Sequence, residues 1–238
     1  MSVQDNTERL TAACLLSVAG GFLDIYTYLF RGRVFANAVT GNMVLFGYQL
    51  AEMQWLSSLK YLLAILSYAA GVFAAESLHN RLPKFANMIW HQLILLLEIS
   101  CLLIVFFIPQ GRLDFAVNAL IAFVCAMQVQ TFRRVHGLPF ASTMCTGNLR
   151  SGTEALFRGL ICADTGGVPK ALHYYGVIVC FISGAVIGAI LLKNFGMTVL
   201  LLVPACLLTV FFLTTSRRQL VQLRRFLKQK KKPEKKRI

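Results

Sequence analysis

The chain has 238 residues, 57% of them hydrophobic and only 14% charged, with a mean hydropathy of +0.64. Soluble domains carry about 25% charged residues, so this balance, together with long apolar runs, excludes an ordinary soluble domain and points to a membrane protein. The net charge of +14 is a tail property: residues 214–238 hold 11 of the 24 Lys and Arg and one acid, Glu234. It does not make the body a nucleic-acid binder, and no zinc-finger or RNA-binding signature is present.

In chain order, residues 1–10 carry Asp5, Glu8 and a single base, Arg9. A secretory signal starts with a basic region, so we read this as a retained cytoplasmic N-terminus. Residues 11–30 form the first apolar run and contain Gly20-Gly21 and Asp24. A hydrocarbon core about 30 Å thick needs roughly 20 such residues. Residues 34–51 are apolar but interrupted by Asn37, Thr40-Gly41-Asn42, Gly47 and Gln49. Runs at 59–78 and 86–108 follow, with a polar turn containing Pro83 between them. The second half continues with 113–132, a polar break around Pro139, the more polar stretch 149–170, and runs at 171–192 and 195–213.

The interruption occurs twice. Phe35-Ala36-Asn37-Ala38-Val39-Thr40-Gly41-Asn42 returns as Phe140-Ala141-Ser142-Thr143-Met144-Cys145-Thr146-Gly147-Asn148. Shorter likenesses occur in the same order, Ser67–Gly71 with Cys180–Gly184 and Cys101–Phe107 with Cys206–Phe212. The fold class expected is therefore all-α: a polytopic membrane helix bundle of about six spans plus two broken or re-entrant segments. Residues 11–110 and 111–213 would form a 3+3 internal repeat, and 214–238 a basic cytoplasmic tail. With six spans and the N-terminus inside, eight basic residues fall in inner segments and five in outer ones; with eight spans the counts are six and seven. The positive-inside rule favours six. Three spans per half make the halves inverted, a recurring transporter plan. Eight spans would make them parallel.

Candidate chemistry follows from what lipid penalises. A charge at mid-membrane costs about 2.5–3.5 kcal/mol on insertion scales, so Asp24 and, as a secondary candidate, Glu98 should face protein or water. Asp24 reads as a proton or cation site beside the break; the alternative is a structural hydrogen bond to Tyr26, Tyr28 or a neighbouring helix. Its nearest counterparts, Gln128 and Gln130, are neutral. Thr40 and Thr146 can cap a helix and Gly41 and Gly147 permit positive φ. Asn37, Asn42, Ser142, Thr143 and Asn148 complete the candidate polar site. A helix starting at such a break would offer free N–H groups to an anion or polar solute; a capped surface loop is the plainer reading. Arg31, Arg33, Arg133 and Arg134 flank the breaks as anion collectors or interfacial anchors. Gly184 and Gly188 form a G-x-x-x-G pair for helix packing, within the chain or in a homodimer. The seven cysteines read as small apolar packing, and no metal spacing or cofactor motif is present. No catalytic motif suggests an enzyme. In the tail, Leu220, Leu223, Phe226 and Leu227 among Arg and Lys suggest an amphipathic helix on anionic lipid.

At Gly21-Phe22-Leu23-Asp24, the first break and Thr146-Gly147-Asn148-Leu149-Arg150-Ser151-Gly152, the sequence resembles the YoaK-like family of bacterial integral membrane proteins, over most of residues 12–213. The resemblance implies a multi-pass protein of the bacterial inner membrane and supplies no substrate or catalytic residue; the long basic tail departs from it. The function expected is a small transporter or channel-like permease for a small polar or ionic solute. The alternative is a membrane scaffold or sensor acting through its tail.

Overall fold

A computed structural model describes residues 10–81, 90–135, 138–139, 142–143 and 145–215. The N-terminal segment, the Pro83 turn, part of the second break and the amphipathic stretch of the tail lie outside the described residues. The described chain is all-α apart from one minimal ladder. Helices α1 (Leu10–Phe30), α2 (Val39–Ala51), α3 (Trp55–Arg81) and α4 (Trp90–Phe106) precede α5 (Asp114–Thr131). A two-residue antiparallel pairing, Arg134–Val135 with Leu138–Pro139, follows. Then come α6 (Cys145–Ile161), α7 (Gly167–Phe195), a 3₁₀ segment (Gly196–Leu201) and α8 (Leu202–Thr214).

Helices are what this composition must form in lipid, because each satisfies its backbone groups internally. Among the described residues four stretches are long and apolar enough to cross a membrane: α1, α3, α5 and the 48 residues Gly167–Thr214. The last is folded on itself. Gly196 takes a φ of +65° after α7, and both Gly184 of α7 and Cys206 of α8 lie against one turn of α1, at Val18 and Leu15. The polar stretch 149–170 is helical through Ile161, with its charged residues on the exposed side.

Packing sorts the helices into two groups. α1 lies chiefly on α7, α6 on α7, and α8 on α1; α3 lies chiefly on α5, α2 on α3, and α4 on α5. The groups meet where α4 crosses α8, over a buried core that includes Leu16, Leu23, Leu95, Leu102, Ile121 and Leu207. The chain passes from one group to the other only at residues 31–38 and 132–144. Outward faces are apolar, as at Leu66, Phe73, Ile182 and Ile190, the inside-out pattern that lipid allows.

Small residues set the closest approaches. A Cβ on Gly184 would lie 2.1 Å from the Val18 carbonyl oxygen, and one on Gly71 would lie 2.3 Å from that of Phe123. Gly188 faces Ile25 and Phe22 of α1, so the G-x-x-x-G pair is used within the chain. Gly184→Ala should lower thermal stability in detergent by about 1–3 kcal/mol or more, because backbone must move. Gly176→Ala, where a Cβ meets nothing within 4 Å, should leave it unchanged; fluorescence-monitored unfolding separates the two.

Candidate functional site: a polar centre where two breaks meet

The first break is built by a reversal. After α1 ends, Gly32 and Arg33 take φ values of +81° and +61°, the left-handed region where glycine is at ease. The chain then runs back along α1. Asn37 donates its backbone N–H to Asp24 Oδ1 at 2.6 Å and its side-chain Nδ2 to the Gly20 carbonyl at 3.3 Å. α2 therefore starts level with the middle of α1. At the other end, Lys60 Nζ near the start of α3 donates to the Gly32 carbonyl at 2.7 Å, so α2 runs back to the end the chain came from. Asn42 holds this hairpin shut: its Oδ1 accepts from Phe35 N at 3.0 Å and its Nδ2 donates to Phe35 O at 2.7 Å. The Phe35 ring stacks on Tyr28, with centroids 4.9 Å apart.

The second break reaches the same place from the other side. Ser142 Oγ donates to Gln128 Oε1 at 3.5 Å. Gln128 Nε2 in turn donates to both oxygens of Glu98, at 3.2 and 3.0 Å. Thr143 presses on α1, where a Cβ on Gly20 would lie 2.5 Å from its Cγ2. Gly20 thus takes both breaks: its missing side chain leaves room for Thr143, and its carbonyl accepts from Asn37. Asp24, Asn37, Glu98, Gln128, Ser142 and Thr143 are all buried. Two polar atoms, Asn37 Oδ1 and Thr143 Oγ1, are buried with no hydrogen-bond partner. Such groups are costly; others occur elsewhere among the described residues, such as Gln49 Oε1 and Gln92 Oε1, but these two belong one to each break.

Other expected site residues are placed differently. The cap of α2 is Ala38, with no side-chain cap bond; Thr40 is exposed in the first turn, because the helix begins two residues earlier than a Thr40 cap requires. Gly41 keeps an ordinary φ and instead makes room for the Phe35 ring, 3.2 Å from where a Cβ would sit. Thr146 and Gly147 are exposed on α6, while Asn148 is buried. Gln130 points away from the centre and donates to Glu76 Oε1 at the end of α3. Arg133 joins that exposed cluster, 3.5 Å from Glu76.

Arg31 is the largest departure from expectation. It is neither a collector of anions nor a surface anchor but fully buried. Its Nε donates to Tyr26 Oη, Nη1 to Asp114 Oδ1 at 2.9 Å and to Pro109 O, and Nη2 to Ile108 O at 2.7 Å. Asn118 Nδ2 closes the contact on the Arg31 carbonyl at 2.6 Å. An arginine next to a membrane break reads as interfacial in sequence; only the fold brings the α4–α5 turn to it. The Asn42 clamp and the Glu98–Gln128 bond were equally invisible as pairings, though each residue stood out singly as polar in an apolar run.

Residues 12–214 match the family described as "Protein of unknown function (DUF1275)". The chain is also similar to the UPF0700 transmembrane protein YoaK of Bacillus subtilis (strain 168), 28% identical over 152 residues. That match spans 61% of this chain and 66% of the relative, just under two thirds of its length. No solved structure matches.

Asn42→Ala removes two bonds to the Phe35 backbone. It should cost about 1–3 kcal/mol in detergent-solubilised stability and raise the hydrogen-exchange rate of the 34–38 amides, whereas Thr40→Ala should change neither.

Proposed function

The chain belongs to the DUF1275 family of membrane proteins, and we propose that it is a small transporter or channel-like permease for a small polar or ionic solute. The observation that carries this is the convergence of two chain breaks on Gly20, each leaving a buried polar atom unpaired. Irregular backbone at membrane depth is tolerated where it is enclosed by protein or lines a water-filled path. Asp24 has a double part in this reading. Its carboxylate holds the first break, and it is the ionisable group beside the path.

The architecture we infer is six spans and two re-entrant hairpins, arranged as an inverted repeat. The course of α2, back toward the end it left, supports a re-entrant rather than a crossing segment. The packing is reciprocal: α1 lies on α7 as α5 lies on α3, and Gly184 meets Val18 as Gly71 meets Phe123. The Asn118 bond to the end of α1 sets α5 antiparallel to α1, the relation that inverted halves require. Both termini then share one face, assigned to the cytoplasm of a bacterial inner membrane by the basic residues there. The activity is passage rather than chemistry, with lipid as the surrounding partner and anionic lipid at the tail.

Purified protein in liposomes, challenged with gradients of polyols, monovalent salts and small carboxylates in stopped-flow light scattering, tests the reading. A solute-specific flux should be lost in Asp24→Asn, whose amide oxygen still accepts the Asn37 N–H, and should survive truncation after Thr215. No flux in any gradient, with a cellular effect lost on truncation alone, would instead favour a scaffold working through the tail.

A further inference from the structure

Glu98 lies in the middle of α4 and is fully buried. Two hydrogen bonds satisfy its carboxylate, and both come from one nitrogen, Gln128 Nε2. Among the described residues, the titratable groups set beside it are thiols: Cys125 from α5, Cys206 from α8 and Cys101 on α4 itself. The 3₁₀ segment packed on α4 offers none, since Gly196–Leu201 contains no titratable residue. Among the described residues no ion pair holds the carboxylate ionised, in contrast to Asp114, which pairs with Arg31. The remaining capacity of Gln128, its Oε1, accepts from Ser142 of the second break.

We propose that Glu98 is a proton-binding site whose occupancy is transmitted to the second break through Gln128. The chemistry of the three groups dictates how. An ionised carboxylate only accepts, so it takes the amide NH₂ and leaves the amide oxygen for the Ser142 hydroxyl. When one oxygen of Glu98 takes a proton from water, that oxygen becomes a donor. Its nearest acceptor is the Gln128 amide oxygen, which reaches it when the amide turns over. The turned amide presents NH₂ to Ser142, whose oxygen must now accept where its hydroxyl had donated. One proton thus reverses the polarity of the contact that holds the second break, and its loss to water restores it. The first break is held differently, directly by Asp24, so each break answers to its own carboxylate. The inference does not require that a solute cross, and its test reads no flux.

The test uses the full chain in lipid nanodiscs, keeping Cys145 and the buried Cys125 and with the other cysteines replaced by alanine. Cys145, three residues past Ser142 and half-exposed, carries a solvatochromic fluorophore attached at one fixed pH. Infrared difference spectra and probe emission are then followed from acid to alkaline conditions. Expected is a protonated-carboxyl signal of which one component disappears in Glu98→Gln, with a probe response that titrates alongside that component. The response should be lost in both Glu98→Gln and Gln128→Leu, while the component survives in Gln128→Leu and both signals survive in Glu52→Gln, at an exposed carboxyl past the end of α2. The proposal is overturned if the wild-type probe does not respond, if the carboxyl signal is unchanged in Glu98→Gln, if the response persists in Gln128→Leu, or if Glu52→Gln removes it. Should Glu98→Gln fail to fold, Gln128→Leu, with its carboxyl intact, decides alone.

Discussion

A backbone N–H that leaves a helix inside hydrocarbon has no water to turn to, and must find its acceptor in the protein. In this chain the N–H of Asn37 finds the carboxylate of Asp24. That bond accounts for why an acid is tolerated in the first apolar helix, and why the chain can reverse at Gly32 and run back unhelical. It also accounts for why α2 begins at the depth of Asp24. A helix N-terminus carries a partial positive charge, and here the protein answers it with an anion of its own. In the second break, Ser142 bonds no acid directly. The break hangs on the neutral pair Gln128 and Ser142, and the nearest carboxylate, Glu98, is one side chain further away. The two breaks are thus alike in outline and unlike in electrostatics.

Around this centre, packing follows from the absence of a hydrophobic force between helices in lipid. Association there relies on close fit and interhelical hydrogen bonds. The close fit is given by Gly20, Gly21, Gly71 and Gly184, each with another element's atoms where a Cβ would stand. The hydrogen bonds are given by Arg31, which ties the end of α1 to the α4–α5 turn, and by Gln92, which reaches the Thr214 carbonyl at the far end. Of the Arg31–Asp114 pair only Arg31 is fully buried and Asp114 is partly exposed, so removing Asp114 leaves a buried charge uncompensated, a loss of at most about 3–5 kcal/mol.

Much of this was legible in the sequence, and what was not has a common cause. Apolar runs located most of the helices, several to within a few residues, but α6 fell in a stretch read only as polar, and α8 begins seven residues into its expected run. Asp24, Asn37, Gln128, Ser142 and Thr143 were singled out as polar groups that lipid would not accept, and they came together. What periodicity could not give was partnership. Arg31 and Asp114 are 83 residues apart, and nothing local ties them. Thr40 and Thr146 drew notice as caps because of their type, yet the helices start one residue before each of them. Gln130 and Gln128 differ by two positions, and therefore by just over half a turn of helix; Gln128 faces the centre and Gln130 the half-buried Glu76.

The two groups of helices share a covalent path only at the breaks, and Arg31 rivets them together at one rim. Gln92 fastens the same two groups at the opposite rim, on the Thr214 carbonyl. The polar centre is therefore strung between two cross-links, and a change at either rim would reach it through the helices that span the distance, the 27 residues of α3 covering about 40 Å at the rise of an α-helix.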